Sequence, residues 1–485
     1  MNRVLQSITA IFAGATLAAA LPCGTASAQN LGEAEISTLR ASFENTGSTR
    51  ALQNVLTHNS NIKENAANFS NEGKLDHYFK YRVDVKGITD QKSSGRCWMF
   101  TSMNALRPAV MQKYNLGEFD FSHNYNYFWD ILEKSNLFLE NILATIEKPM
   151  DDRTVVFLFK SPVDDGGVWN SFYNIATKYG VVPQSVMPET AHSNNTAQLG
   201  SIINERLRAG GYELRQLAEK READLSRIQG ERDIAKSKAI LAESIRIKKL
   251  SILKDIYRVL ALCLGEPPTE FTWRYKDKNG NIKEMKSTPL EFFKSIEPAG
   301  YTPEEYIMTM NDPTREYYKV YEIENYRNTM EGINWKYLNL PNEELKSAAL
   351  ASIKANEPLY CSCDVSKQLN RKEGTLDLNN YNVAELLGIE INMDKKARIL
   401  TRQSGSSHAM LLIGCDTDQN DKPVKWEFEN SWGSSYGHNG YLTFTDEWFN
   451  EYLFRLVINK KYLSPKAIEA LSKKSTKLPM WDYMF

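Results

Sequence analysis

Hydrophobic and polar positions change period several times along the chain, and each change marks an expected element. Residues 29–73 are polar, with weak helical spacing around Ile36–Leu39 and Leu52–Leu56, and are expected to form a surface extension wrapped on the domain. Residues 79–88 alternate in part through Tyr81, Val83 and Val85, as an extended segment does, and about 98–114 suit a helix. The aromatics of 119–138 (Phe119, Phe121, Tyr125, Tyr127, Phe128, Trp129 and Phe138) form a core stripe. Asp164-Asp165-Gly166-Gly167-Val168 is a tight turn before a helix at 169–179 that Gly180 ends. Residues 199–264 are the most charged stretch, with Leu207, Leu214, Leu217, Leu225 and Ile228 at helical spacing and breaks expected at Gly210-Gly211 and Gly230. They predict a helical insertion with a solvated face that packs on another part of the molecule or on another subunit.

Beyond Pro267-Pro268 a hairpin is expected at Asn279-Gly280 and a helix at 347–356. From Glu357 the pattern turns to strands, at 359–363, 409–415, 424–429, 441–445 and 453–458. A helical half followed by a strand-rich half, about 357–460, predicts an α+β protein with a cleft between the two. The tail, about 466–485, is polar until Leu478-Pro479-Met480-Trp481-Asp482-Tyr483-Met484-Phe485. Termini are normally frayed and polar, so this apolar end is expected to dock.

Composition narrows the class. The chain has 485 residues, 42% of them hydrophobic and 25% charged, and 59 basic against 60 acidic side chains leave a net charge of −1. No global field draws nucleic acid or anionic lipid, so no nucleic-acid partner is expected. In residues 1–28 the only charge is Arg3, residues 8–21 are apolar and small, and Ala26-Ser27-Ala28 supplies a cleavage site. This is the pattern of a signal peptide, and the mature chain is expected in the periplasm or outside the cell. Pro22 suits lipoprotein processing at Cys23 poorly, and no later segment is long and apolar enough for a membrane span. Cleavage leaves Cys97, Cys263, Cys361, Cys363 and Cys415, an odd number. Cys361 and Cys363 would share one face of a strand without the geometry of a bridge. One thiol is left over, and Cys97 is the candidate.

Cys97 follows Gln91-Lys92-Ser93-Ser94-Gly95-Arg96 at the start of the expected helix, where free N–H groups and the helix dipole stabilise a thiolate; there a thiol pKa of about 8.5 falls to roughly 3.5–7.5. The plain alternative is a small apolar residue under a helix. A thiol nucleophile needs a base, and the base an orienting group. Of six histidines, His58, His77, His123 and His192 have no distinguishing neighbours and His438 lies in a glycine-bracketed turn. His408 stands at the entrance of an apolar strand, and the next strand delivers Asn430-Ser431-Trp432-Gly433, so that an Asn430 amide oxygen on one ring nitrogen aims the other at sulfur. The resting pair would be thiolate and imidazolium. Gln91, six residues before Cys97, adds a side-chain donor to the Cys97 N–H for an oxyanion hole. Gly166 and Gly167 suit a backbone ledge for an extended peptide. No metal or cofactor is needed by this set.

Gln-x-x-x-x-Gly-x-Cys-Trp, a strand-borne histidine and Asn-Ser-Trp-Gly resemble the papain superfamily of cysteine peptidases. The Asp165-Gly166-Gly167-x-Trp169 turn, Thr445-Asp446-Glu447-Trp448-Phe449 and Leu478-Pro479-x-Trp481-Asp482 are similar to its bleomycin hydrolase and aminopeptidase C branch, over most of the chain. The resemblance implies a papain-like fold with a helical half and a β-barrel-like half, and peptide substrates. It implies Cys97 as nucleophile, His408 as acid and base, Asn430 as orienter, Gln91 as oxyanion donor, and Gly166 and Gly167 as the ledge. It further implies a homohexamer and a C-terminal arm whose carboxylate meets the substrate's amino group, placing Phe485 in the cleft. Asp165 stands where secreted papains carry a disulfide cysteine. The branch continues past Trp-Asp-Pro-Met with small residues, whereas this chain reads Trp481-Asp482-Tyr483-Met484-Phe485. Dipeptidyl or internal cleavage is therefore an alternative to single-residue release, and a non-catalytic binding protein on the same fold is the alternative of another class.

Overall fold

The computed structural model describes residues 30–225, 231–297 and 301–484, apart from the side chains of 220–233. The signal-peptide pattern, Cys23, the break expected at Gly230 and Phe485 lie outside the described residues. The chain divides into two units, 1–65 and 66–485. The described part of the first holds three helices, Glu33–Ser42, Gly47–His58 and Ile62–Asn65, none with a buried residue.

In the second unit, strands form one large sheet and one hairpin. In chain order they are β1 (Tyr81–Arg82), β2 (Phe271–Lys276), β3 (Ile282–Ser287), β4 (Tyr306–Met310), β5 (Lys319–Ile323), β6 (Lys336–Asn339) and β7 (Leu359–Cys363). There follow β8 (Leu369–Asn370), β9 (Thr375–Leu376), β10 (His408–Thr417), β11 (Pro423–Glu429), β12 (Tyr441–Thr445), β13 (Leu453–Asn459) and β14 (Thr476–Leu478). The sheet runs β14-β5-β6-β4-β13-β7-β10-β11-β12-β9-β8, with β1 on β10, and β2-β3 is the hairpin expected around Asn279-Gly280. Strands thus begin well before Glu357: β4, β5 and β6 extend the sheet on the side of β13. Mixed helix and sheet make this an α+β protein, as expected.

Two apolar cores flank the sheet. One gathers helical residues such as Trp98, Phe128, Trp169 and Phe172; the other holds Cys361, Cys363, Met410, Leu412, Trp426 and Phe444 from the sheet. The helix Cys97–Tyr114 packs against β10 and contributes Trp98, Met99 and Met103 to the first core. The aromatic stripe becomes the helix His123–Ala144, where the Ser122 hydroxyl caps the start by accepting the Tyr125 N–H.

The charged stretch forms two long helices, Ala197–Leu225 and Glu231–Leu264, packed on each other and on His123–Ala144. No break occurs at Gly210-Gly211. A Cβ on Gly210 would lie 2.8 Å from the Ile252 side chain, so the glycine lets two helices approach closely and does not end one. The five described cysteines are free thiols. Among the described residues no helix is long and apolar enough to cross a membrane.

Candidate active site

Cys97 is the first residue of its helix, so its N–H has no acceptor within the helix. The loop before it is fixed by Asp165, whose carboxylate accepts the Gly95 N–H at 2.6 Å and the Thr196 hydroxyl, while its carbonyl accepts Trp98 Nε1–H at 2.9 Å. A Cβ on Gly95 would meet that carboxylate at 2.3 Å, so only glycine fits. Asp165 thereby ties the thiol loop to the diglycine turn without a covalent link.

On the sheet side, β10 and β11 are antiparallel neighbours, and His408 Nε2 lies 2.8 Å from Asn430 Oδ1. The tautomer follows from the neighbours. Ser431 N–H donates to the same Oδ1 at 2.8 Å, so the atom there is an oxygen, Nε2 carries the hydrogen, and Nδ1 is left to take a proton. Trp432 stacks on the imidazole at 4.7 Å between centroids. The next residue, Ala409, donates its N–H to Cys97 Sγ at 3.5 Å, so strand and helix meet at the sulfur.

Gln91 lines the same cleft. Its Oε1 accepts from Ser431 Oγ at 2.7 Å and one Nε2 hydrogen goes to Ser94 O at 2.6 Å, which leaves the second hydrogen for an oxyanion. The cleft, about 560 Å³, is lined by Cys97, His408, Gln91, Gly166 and Gly167 together, and by Met480 of the C-terminal arm. The two glycines are not equivalent. Gly166 spends its N–H on Asp164 Oδ1 (2.8 Å) and its carbonyl accepts from Lys134 Nζ. Among the described residues neither backbone group of Gly167 has a partner within the protein, so the ledge reduces to Gly167, held where a Cβ would strike Trp98 at 2.6 Å.

The electrostatics depart from the expectation at Cys97. Burial pushes the thiol up to about 11 and outweighs the backbone N–H groups of Ala409, Trp98 and Cys97 itself, which pull it down. Burial likewise pushes His408 down to about 4, against the Asn430 hydrogen bond. The helix N-terminus alone therefore does not produce a thiolate here. An ion pair at this site has to come from the two groups together, each supplying the opposite charge that the other lacks when desolvated.

Among the other histidines, His123 stacks face to face on Phe100 in the core, and His77 stacks on the turn residue His438. Among the described residues no cluster of three or more His, Cys, Asp or Glu side chains is arranged to hold a metal ion. Several cleft residues escaped the sequence reading, among them Lys134, Tyr360 and Arg455. Arg455 left a signal, since it is the single charge in the buried run Leu453-Phe454-Arg455-Leu456-Val457-Ile458.

Comparisons with known proteins place the chain in a family. The sequence model of the Peptidase C1-like family matches residues 30–485. Aminopeptidase C of Lactobacillus delbrueckii subsp. lactis is 36% identical over 84% of this chain and 88% of its own length. Bleomycin hydrolase of Homo sapiens is 34% identical over 91% and 93%. The crystal structure of PepW from Lactobacillus rhamnosis HN001 superposes with a TM-score of 0.85 at 33% identity, covering 94% of this chain and 98% of that one.

Proposed function

This chain belongs to the Peptidase C1-like family and is a cysteine peptidase, and on that premise we propose that it is an exported aminopeptidase acting through Cys97, His408, Asn430 and Gln91. The observation that carries the assignment is the meeting at sulfur: Ala409 N–H on Cys97 Sγ, with the adjacent His408 ring held by Asn430 in the same cleft.

The chemistry follows from the atoms present. Sγ attacks a peptide carbonyl carbon while its proton passes to His408 Nδ1. The oxyanion so formed lies between the Cys97 N–H and the second Nε2 hydrogen of Gln91. Collapse breaks the C–N bond, the imidazolium protonates the departing amine, and a thioester on Cys97 remains. Water then attacks that thioester, with His408 taking its proton, and releases the acid.

The C-terminal arm is the feature that would make the enzyme act from the N-terminus. Met480 already lines the cleft, and on this reading the arm limits how far the substrate's amino end can extend. The altered tail, Tyr483-Met484 where the branch reads Pro-Met, makes dipeptidyl release or internal cleavage the second reading. Export rests on the apolar run at 8–21 and Ala26-Ser27-Ala28, and assembly as a homohexamer on the family resemblance. Fluorogenic peptides that release one residue, release two, or carry a blocked amine separate the readings. Single-residue release from free amines alone supports an aminopeptidase, and cleavage of blocked peptides at equal rates overturns it. Cys97→Ala is expected to abolish all cleavage while leaving the circular dichroism spectrum unchanged, and light scattering checks the hexamer.

A further inference from the structure

A buried arginine stands next to the thiol and has no part in the chemistry described so far. Arg96 directly precedes Cys97, and its side chain is fully buried. Its Nη1 lies 3.0 Å from Glu189 Oε2, and the guanidinium lies over the Phe100 ring at 5.3 Å and the Tyr127 ring at 5.4 Å. Phe100 in turn stacks on His123 at 3.5 Å between centroids. The charge is thus paired on one side and walled by rings on others. Desolvation offsets most of the attraction in a buried ion pair, so stability alone is a weak reason for one beside the nucleophile.

Its Nε leads to the oxyanion hole. Arg96 Nε–H donates to Ser94 Oγ at 3.0 Å, and the Ser94 hydroxyl passes its own hydrogen to the Gln91 carbonyl at 2.6 Å. Gln91 Nε2 closes the circuit by donating to Ser94 O at 2.6 Å, while Ser431 Oγ holds the oxygen end of the same amide at 2.7 Å. Backbone and side chain of Gln91 are therefore both fastened to Ser94, and Ser94 to the guanidinium. A hydroxyl that accepts from a cation is a stronger donor to the next acceptor. The backbone of Arg96 serves the second donor. Its carbonyl accepts the N–H groups of Met99 at 2.9 Å and Phe100 at 3.1 Å, which orients the planar peptide unit that carries the Cys97 N–H. One residue thus holds both donors, Gln91 through its side chain and Cys97 through its carbonyl.

We propose that Arg96 is a positioning residue for peptide hydrolysis, which sets the spacing of the two oxyanion donors through Ser94 and touches no substrate atom. Gln91, Ser94 and Cys97 line the cleft, and the Arg96 side chain is buried behind them. The inference rests on the reading of Gln91 as an oxyanion donor and adds what keeps that donor in place. A glutamine side chain is flexible, and a group displaced by about 1 Å loses much of its value to a transition state.

The test is a double-mutant cycle on the full-length enzyme, with kcat and KM measured on one fluorogenic peptide. Gln91→Ala removes the donor and should lower kcat by about 100-fold. Ser94→Ala removes the link and should lower kcat by about 10-fold, with KM little changed. In the Gln91→Ala background the same Ser94→Ala should lower kcat no further, because no donor is left to place. Arg96→Lys keeps a cation for Glu189 but puts a methylene where Nε stood, and should match Ser94→Ala. Alkylation of Cys97 by iodoacetamide forms no oxyanion, so its rate in Ser94→Ala should equal that of the wild type. Four results overturn the role of Arg96 and leave the oxyanion hole standing: a Ser94→Ala loss that multiplies with that of Gln91→Ala, a loss seen equally in alkylation, no loss in Ser94→Ala, or wild-type kcat in Arg96→Lys. Wild-type kcat in Gln91→Ala sinks the oxyanion reading and the inference with it. Should Arg96→Lys fail to fold by circular dichroism, the cycle on Ser94 decides alone.

Discussion

At the scale of residues, the site poses a question of charge. Cys97 is driven up to about 11 and His408 down to about 4 by the same cause, loss of water. A thiol nucleophile is useful only as thiolate, so something beyond the helix N-terminus has to supply the compensation, and the imidazolium is the one cation the site can make beside it. Replacing His408 by Ala removes that cation and leaves the thiol with burial opposed only by backbone N–H groups. Alkylation of Cys97 by iodoacetamide in His408→Ala should then need a pH approaching 11, while the wild type reacts well below that. Superimposable pH profiles for the two proteins would show that His408 does not activate the thiol.

At the scale of elements, the diglycine turn and the thiol helix are one mechanical unit, because Asp165 links them and Trp98 packs under Gly167. Gly167→Ala places a Cβ 2.6 Å from a fully buried indole, and overpacking of that kind costs about 1–3 kcal/mol. Thermal denaturation should show a lower Tm, and KM for peptides should rise as the ledge moves. Gly166→Ala meets only the Asp164 carboxylate at 3.0 Å and is expected to be milder; equal effects would mean that the Trp98 contact does not set the ledge. Both glycines were legible in the sequence, but the difference between them was not, since it depends on Lys134 and Asp164, one of them on another helix. The same limit shows elsewhere. Strands at 359–363 and 441–445 could be read from short runs of apolar and β-prone residues, as could Cys97, His408 and Asn430 from their flanking residues. β4, β5 and β6 were missed although runs such as Lys319-Val320-Tyr321-Glu322-Ile323 hold strand formers, because each spans only four or five residues and its partners in the sheet lie far along the chain, on β13 and β14. Gly210-Gly211 was read as a break, because what it does depends on Ile252, far away in sequence.

At the scale of the whole molecule, the C-terminal arm brings the end of the described chain to the cleft. β14 pairs in parallel with β5, and the residues beyond it are fastened in succession: Asp482 to Arg315, the Tyr483 hydroxyl to Thr314, and the Met484 carbonyl to Arg455. Asp482 and Met484 are buried and Met480, Trp481 and Tyr483 half-buried, so the last described residues of the arm are packed into the structure, whereas Lys477 and Pro479 before them are exposed. Truncation after Leu478 removes those contacts and Met480 with them, but it leaves Arg315 paired with Asp312 at 2.6 Å, so no carboxylate there is stranded without its cation. The fold is therefore expected to survive, with a cleft open at one end and a guanidinium released from its Met484 contact. If the arm limits where a peptide can lie, the truncated enzyme should cleave N-blocked peptides faster relative to free-amine peptides than the intact enzyme does. An unchanged ratio of blocked to free substrates, measured on truncated protein of native circular dichroism, would show that the arm is a structural strap and that selection of the N-terminus lies elsewhere in the cleft.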